Sequence, residues 1–183
     1  MKWKTLSSKY VYKTPYVAIR EDEALRPDGS ATTYSVLEAN PGAYLIAQDT
    51  HGSICLIRQL RYTTNEARWE LPGGGVEDEE TARETVVREG EEEACVKALD
   101  PIQLPGVTQS MNGMSTHVDY YFLATKITIL PFVPSINEGI SERAFFTLSE
   151  IKSMLEAGDV ADALSITGLM RAMVYLERVH GLV

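Results

Sequence analysis

Short apolar stretches separated by turn residues dominate the first half of this chain, and helical spacing takes over in three segments further on. Tyr10-Val11-Tyr12 and Tyr16-Val17-Ala18-Ile19 carry β-forming residues. Arg26-Pro27-Asp28-Gly29 is a turn signal, and Thr32 to Leu37 resumes the strand pattern. Asn40-Pro41-Gly42 then breaks the chain. Two apolar runs follow, Ala43–Ala47 and Ile54–Ile57, with Asp49-Thr50-His51-Gly52 between them as a hairpin turn. Val118–Ala124 and Ala144–Leu148 have strand composition, whereas Ser149–Ala157 and Val160–Val179 have helical composition. Leu164, Leu169, Met173 and Leu176 approximate one apolar stripe over the second half of the last segment, which fits core packing better than a cofactor site. Strands outnumber helices and do not alternate with them cleanly as βαβ units. The pattern predicts an α+β fold, a layered α/β/α arrangement with a mixed sheet between helices.

The third helical segment lies inside Gly74–Val96, the densest acidic stretch of the chain. Thr81 and Glu84 have the spacing of a capping box, so a helix is expected from about Ala82 to about Ala94. On it Glu89, Glu92 and Glu93 stand at i, i+3 and i+4 and share a face. Ala82, Val86, Val87, Gly90 and Ala94 are small or apolar and are expected to face the sheet. Like charges at this spacing destabilise an isolated helix by about 0.2–0.5 kcal/mol per pair. Two readings follow. One is a solvated acidic face with Arg83 and Arg88 as local partners. The other is a face that holds divalent cations against a phosphate, and the glycine turn in front of the helix favours it.

Composition narrows the class. The chain has 183 residues, 44% hydrophobic and 23% charged, which suits one globular domain with a small appendage. Its net charge of −9 argues against a basic nucleic-acid footprint. No apolar run approaches the ~20 residues needed to cross a bilayer, and the basic N-terminus has no apolar signal core, so no membrane partner is expected. Cys55 and Cys95 form no framework, and a reduced, cytoplasmic protein is the simplest reading.

The spacing Gly74, Glu80, Arg88-Glu89, Glu92-Glu93 resembles the Nudix box, and Trp69-Glu70-Leu71-Pro72-Gly73 before it is also typical of that family. The resemblance implies the Nudix fold and hydrolysis of a diphosphate joined to a second moiety, with Mg²⁺ or Mn²⁺ as cofactor. By the same resemblance Glu89 and Glu93 are the first metal ligands, Glu92 the next, and the carbonyl of Gly73 a further one. Glu80 and Arg88 then hold loop and helix in place through an ion pair. Two box positions depart from the family. Gly90 stands where Leu or Ile is usual, at a cost of ~1 kcal/mol relative to alanine in a helix, and leaves space for a larger neighbour. Cys95 stands where glycine is usual, so either it adopts positive φ or the helix runs past it.

Residues outside the box point to the ADP-ribose pyrophosphatase-like branch. Leu56–Tyr62 resembles its strand ending in Gln-aromatic-Arg, Asp162–Ile166 resembles its closing helix, and a β-rich extension over residues 1–40, before a Nudix domain at 41–183, commonly builds a homodimer there. Arg61 is then a phosphate contact or a surface arginine. Glu70 bonds a base or ribose edge, or pairs with Arg58 or Arg68. The general base is expected on a loop before a late strand, with Glu138 first and Glu142 second, beside ordinary loop glutamates as the alternative; Glu92 is a further catalytic candidate. One feature departs: Ser110–His117 has the serine and glycine of the branch's loop but not its proline, and the glutamate expected soon after is missing. His117 is a structural or surface histidine, or else a substrate or metal contact. The expected substrate is ADP-ribose or a nucleotide sugar. The alternatives are a nucleoside triphosphate or dinucleoside polyphosphate hydrolase, which usually lacks the extension, and a Nudix-fold nucleotide sensor without catalysis, which would be expected to have lost the carboxylates.

Overall fold

A computed structural model describes residues 1–179; the last four positions of the segment expected to run to 183 lie outside the described residues. Its chain divides into two compact units, one of residues 1–41 with 109–118, the other of residues 42–108 with 119 onward.

The first unit is an antiparallel sheet of β1 (Lys4–Lys13), β2 (Val17–Leu25) and β3 (Ala31–Ala39), in that order. The Pro27-Asp28-Gly29 turn joins β2 to β3, with Gly29 at φ 87°, where glycine carries no Cβ penalty. Irregularities at Thr5/Ser7 and Tyr10/Tyr12 interrupt the β1–β2 register. All ten residues of β1 are exposed, including Leu6, Tyr10, Val11 and Tyr12. The 109–118 segment docks on β3, where Leu37 exchanges backbone hydrogen bonds with Met114 and Thr116.

The second unit is layered. β4 (Gly42–Ala47) runs parallel to β10 (Asp119–Ala124); β7 (Gly73–Gly75) and β9 (Ile102–Gln103) flank them antiparallel, so this sheet is mixed. A second sheet sets β5 (Ile54–Arg61) between β12 (Ile140–Phe146) and β6 (Glu66–Glu70). β8 (Val96–Leu99) pairs with β11 (Lys126–Ile129). The helices are α1 (Ala82–Ala94), α2 (Leu148–Ala157) and α3 (Ala163–Val179).

β4 and β5 read as continuous apolar runs because both of their faces are covered. Ala43, Leu45, Ala47, Cys55 and Ile57 pack on one side with Val86 and Ala94 of α1. Ile46, Ile54 and Leu56 pack on the other with Ile151 of α2 and Leu169, Met173 and Leu176 of α3. Two-residue alternation along a strand thus produces an α/β/α sandwich, the expected fold class. The last helix begins at Ala163 rather than near Val160, because Asp162 caps it by accepting from the Ser165 amide at 2.7 Å. Among the described residues no helix is long and apolar enough to cross a membrane.

Candidate active site

The acidic helix begins as its sequence demands. Thr81 accepts from the Glu84 amide while Glu84 accepts from the Thr81 amide at 2.8 Å, a complete capping box. Its C-terminal end answers the question posed by Cys95. That residue sits at φ 51°, in the left-handed conformation, so the helix stops instead of running on. The strained end is held from outside: Arg143 Nη1 donates to the carbonyls of Ala94 (2.9 Å), Cys95 (3.3 Å) and Leu130 (3.0 Å), with its guanidinium over Phe132 and Phe145. Gly90 is filled as the sequence suggested. A Cβ there would stand 2.6 Å from Leu45 Cδ2, so a core leucine occupies the space of the missing side chain.

β7 brings the glycine turn against the helix. A Cβ on Gly73 would meet the Ala43 carbonyl and lie 2.8 Å from Tyr44 Cα, and one on Gly74 would overlap the Glu89 carboxylate. Only glycine lets β4, the turn and the helix carboxylates approach this closely. Glu93 is 6% exposed, and its Oε2 accepts from the Gly73 amide at 2.8 Å. Burial pushes its carboxyl up to about 8; the Gly73 amide works against that shift, and the neighbouring Glu89 reinforces it. Glu89 is also raised, first by burial, with Arg88 opposing and Glu92 and Glu138 adding repulsion. Glu92 is mostly exposed.

Arg88 and Glu80 form the expected pair. Arg88 Nε and Nη2 each donate to a different Glu80 oxygen at 3.0 Å, a bidentate clamp, and Thr85 Oγ1 adds a bond to Glu80 at 2.8 Å. Arg88 holds the Glu80 carboxyl below its usual range. The remaining nitrogen, Nη1, donates to Glu89 at 2.8 Å and Glu92 at 3.1 Å.

The outlying candidates separate. Glu70 pairs with Arg61, at 2.6 Å from Nη2 and 3.0 Å from Nε, and not with Arg58 or Arg68. Arg58 bonds Glu142 at 3.0 Å, and Arg68 bonds Glu66 at 2.9 Å. Glu138 lies on a 3-10 turn, Ile136–Glu138, near enough to act electrostatically on both Glu89 and Glu93. Glu142 lies on β12, half-exposed, its carboxylate engaged by Arg58. His117 falls in the first unit, its amide bonded to Ser115 Oγ at 3.0 Å. Arg61 belongs to two clefts. One, of about 500 Å³, is walled by Tyr44, Thr64, Arg68, Glu70 and Asp162; the other, of about 410 Å³, by Gln59, Tyr62, Asn137 and Glu138. Glu89 and Glu93 line neither cleft.

Sequence reasoning gave no individual role to Gln59 or Ser165, both inside segments that resemble the branch, and did not single out Arg143. Ser165 is fully buried and its hydroxyl accepts from the Leu71 amide at 2.9 Å, tying α3 to the segment entering the glycine turn. The signal for Gln59 was its place in the strand-end pattern of Leu56–Tyr62; Arg143 carried none, because its three carbonyl partners come from two distant segments.

Every first-rank donor at the box is an oxygen, and the buried Glu93 carboxylate, raised by desolvation, is the kind of group a cation would return to its ionised form. Oxygen donors suit a hard divalent ion, which keeps water and substrate oxygens in its remaining positions. In the positions described, no three His, Cys, Asp or Glu side chains are gathered as a ready-made cage, because Glu89 and Glu92 turn to Arg88.

Comparison with known proteins places this fold and its acidic helix in one family of hydrolases. The chain belongs to the Nudix family of hydrolases: residues 38–166 match the NUDIX domain. Residues 3–37 match the nucleoside diphosphate sugar hydrolase N-terminal domain. The chain is 24% identical over 173 residues, 94% of its length and 83% of the relative, to a CMP-5'-(N-acetyl-N-hydroxy-3-aminopropyl)phosphonate hydrolase of Streptomyces rubellomurinus. It is 24% identical over 170 residues, 92% of its length and 82% of the relative, to an ADP-ribose pyrophosphatase of Mycobacterium tuberculosis. A solved structure described as an ADP compounds hydrolase shares the fold, with a TM-score of 0.81 at 16% identity over 97% of this chain and 95% of that one. Nudix hydrolases generally use divalent metals.

Proposed function

We propose that this enzyme hydrolyses the diphosphate of a nucleoside diphosphate linked to another moiety, with ADP-ribose first and nucleotide sugars second. The observation that carries this reading is the hydrogen bond of Glu93 to the Gly73 amide, with the Glu89 carboxylate packed against Gly74. Glu89, Glu93 and the Gly73 carbonyl, with Glu92 outermost, would hold Mg²⁺ or Mn²⁺. Such an ion, when bound, neutralises the diphosphate and lowers the pKa of an attacking water. Arg88 and Glu80 keep helix and turn in register. Glu138, within electrostatic reach of Glu89 and Glu93, takes the proton from the attacking water; Glu142, committed to Arg58, is the second candidate. Arg61 meets phosphate oxygens, and Glu70 orients it while offering an acceptor to the sugar or base.

The names of the relatives support a nucleotide as one half of the substrate, and they differ in nucleoside, one ADP-linked and one CMP-linked. A panel therefore tests the proposal: ADP-ribose, nucleotide sugars, CMP conjugates, triphosphates and dinucleoside polyphosphates, each with Mg²⁺ and Mn²⁺, scored by product analysis. Mononucleotide plus a phosphorylated second moiety is the expected product pair. Turnover confined to triphosphates, or ligand binding without turnover, overturns it. We propose further that β1, with its exposed Leu6, Tyr10, Val11 and Tyr12, docks on a second copy as a homodimer, and that the enzyme works in the cytoplasm without a nucleic-acid or membrane partner. A monomer at micromolar concentration in sedimentation overturns the dimer.

A further inference from the structure

Glu138 sits on an exposed single turn, and its carboxylate has one side-chain bond, from Ser135 Oγ at 3.1 Å. The β12–β5 ladder does not include it: the ladder begins at Ile140 opposite Gln59 and slips register before Glu142. We propose that Gln59 is the positioning residue for this glutamate, anchoring the Ile136–Glu138 turn to the sheet; the proposal rests on the reading of Glu138 as the base.

Gln59 is 5% exposed, at an inward position of β5. Strand alternation sets it in the row of Cys55 and Ile57, which packs toward α1. An apolar side chain would suit that row. The glutamine instead donates from Nε2 to the Glu138 carbonyl at 2.9 Å. Only the amino end of a carboxamide can face a carbonyl, so the orientation is not ambiguous. The other end, Oε1, is buried and has no hydrogen-bond partner among the described residues. Buried polar atoms are normally bonded, so a half-satisfied carboxamide makes sense here through the bond it does form.

A second staple sits beside the first. The Leu60 amide donates to the Gly139 carbonyl at 2.9 Å. Gly139 has φ 78°, and a Cβ there would stand 2.5 Å from the Leu60 carbonyl, so the turn lies directly on the strand. The strand thus grips residue 139 through its backbone and residue 138 through the Gln59 side chain. Without the Gln59 contact the turn can pivot about residue 139, and Glu138 loses its aim.

The test uses the full chain with Gln59→Leu, Gln59→Met and Glu138→Gln, alone and combined. Hydrogen exchange at the amides of residues 138–140 is measured without metal, alongside kcat and KM with it. In Gln59→Leu and Gln59→Met, exchange at these amides is expected to quicken by about tenfold while the rest of β5 is unchanged. kcat should fall about 10–100-fold, as for a misplaced catalytic group, with KM within about twofold. In the Glu138→Gln background the same substitutions should change kcat by less than about twofold, because they act through a group already removed. A full additional loss in that background, or unaltered exchange at 138–140 in folded protein, overturns the role of Gln59 and leaves Glu138 in place. Full turnover in Glu138→Gln alone overturns the base and the positioning role together.

Discussion

Glu80 and Glu93 belong to one motif, yet the two ends of that motif are built to opposite electrostatic plans. At the first end, Arg88 grips both oxygens of Glu80, Thr85 adds a third bond, and the carboxyl is held below its usual range. At the second end, Glu93 is buried with one backbone amide to accept from, and its carboxyl is pushed up to about 8. A carboxylate satisfied by its own chain stabilises the fold and has nothing left to offer. One that is buried and only partly satisfied is costly to ionise in the fold and gains from any positive charge brought beside it. Within one motif, burial and the number of partners give two carboxylates opposite shifts.

The largest effect should come from the incomplete end. Glu93→Gln is expected to lower turnover by about 10³-fold, since several kcal/mol of charge stabilisation is removed; steady-state kinetics with saturating metal checks this, and near-normal turnover would remove Glu93 from the ligand set. Gly74→Ala should cost about 10²-fold in kcat by displacing Glu89 from the turn it touches, with the melting temperature separating displacement from unfolding. At the satisfied end, Arg88→Ala strands Glu80 partly buried and should cost about 2–3 kcal/mol of stability in a denaturant titration.

The two carboxylates should also oppose each other in a pH series of metal-free protein. Glu80, lowered in the fold, stabilises above the unfolded value near 4.5, and that contribution is lost as pH falls through its lower folded value. Glu93, raised in the fold, works the other way: stability falls as pH rises from about 4.5 to about 8. Melting curves with chelator should show the decline between about pH 4.5 and about 8 flattened in Glu93→Gln and kept in Arg88→Ala. The smallest effect is expected outside the comparison. Arg58→Ala, which breaks a half-exposed pair with Glu142, should shift stability by no more than about 1 kcal/mol. A large loss of kcat there would make Glu142, not Glu138, the base to pursue.

Local rules made much of this legible. The capping box of Thr81 and Glu84, the three-residue spacing of the glutamates, and the apolar runs of β4 and β5 all depend on near neighbours in the chain, and each is where it was expected. The space at Gly90 was also readable, although not that Leu45 fills it. The outlying residues were readable as candidates but not as partners. Glu70 stands opposite Ile57, on the face of β5 that Arg61 shares and Arg58 does not; Arg58 is taken by Glu142 and Arg68 by Glu66, and Glu70 pairs with Arg61.

The sequence by itself determined the acidic helix, its caps, the glycine turn and the family, because those follow from spacing within a short stretch of chain. Only the tertiary structure decided which glutamate is desolvated, which is clamped, how Arg143 holds the left-handed end at Cys95, and that Gln59 reaches the Glu138 turn. Burial and long-range hydrogen bonds depend on what packs against a residue, and those neighbours come from segments tens of positions away.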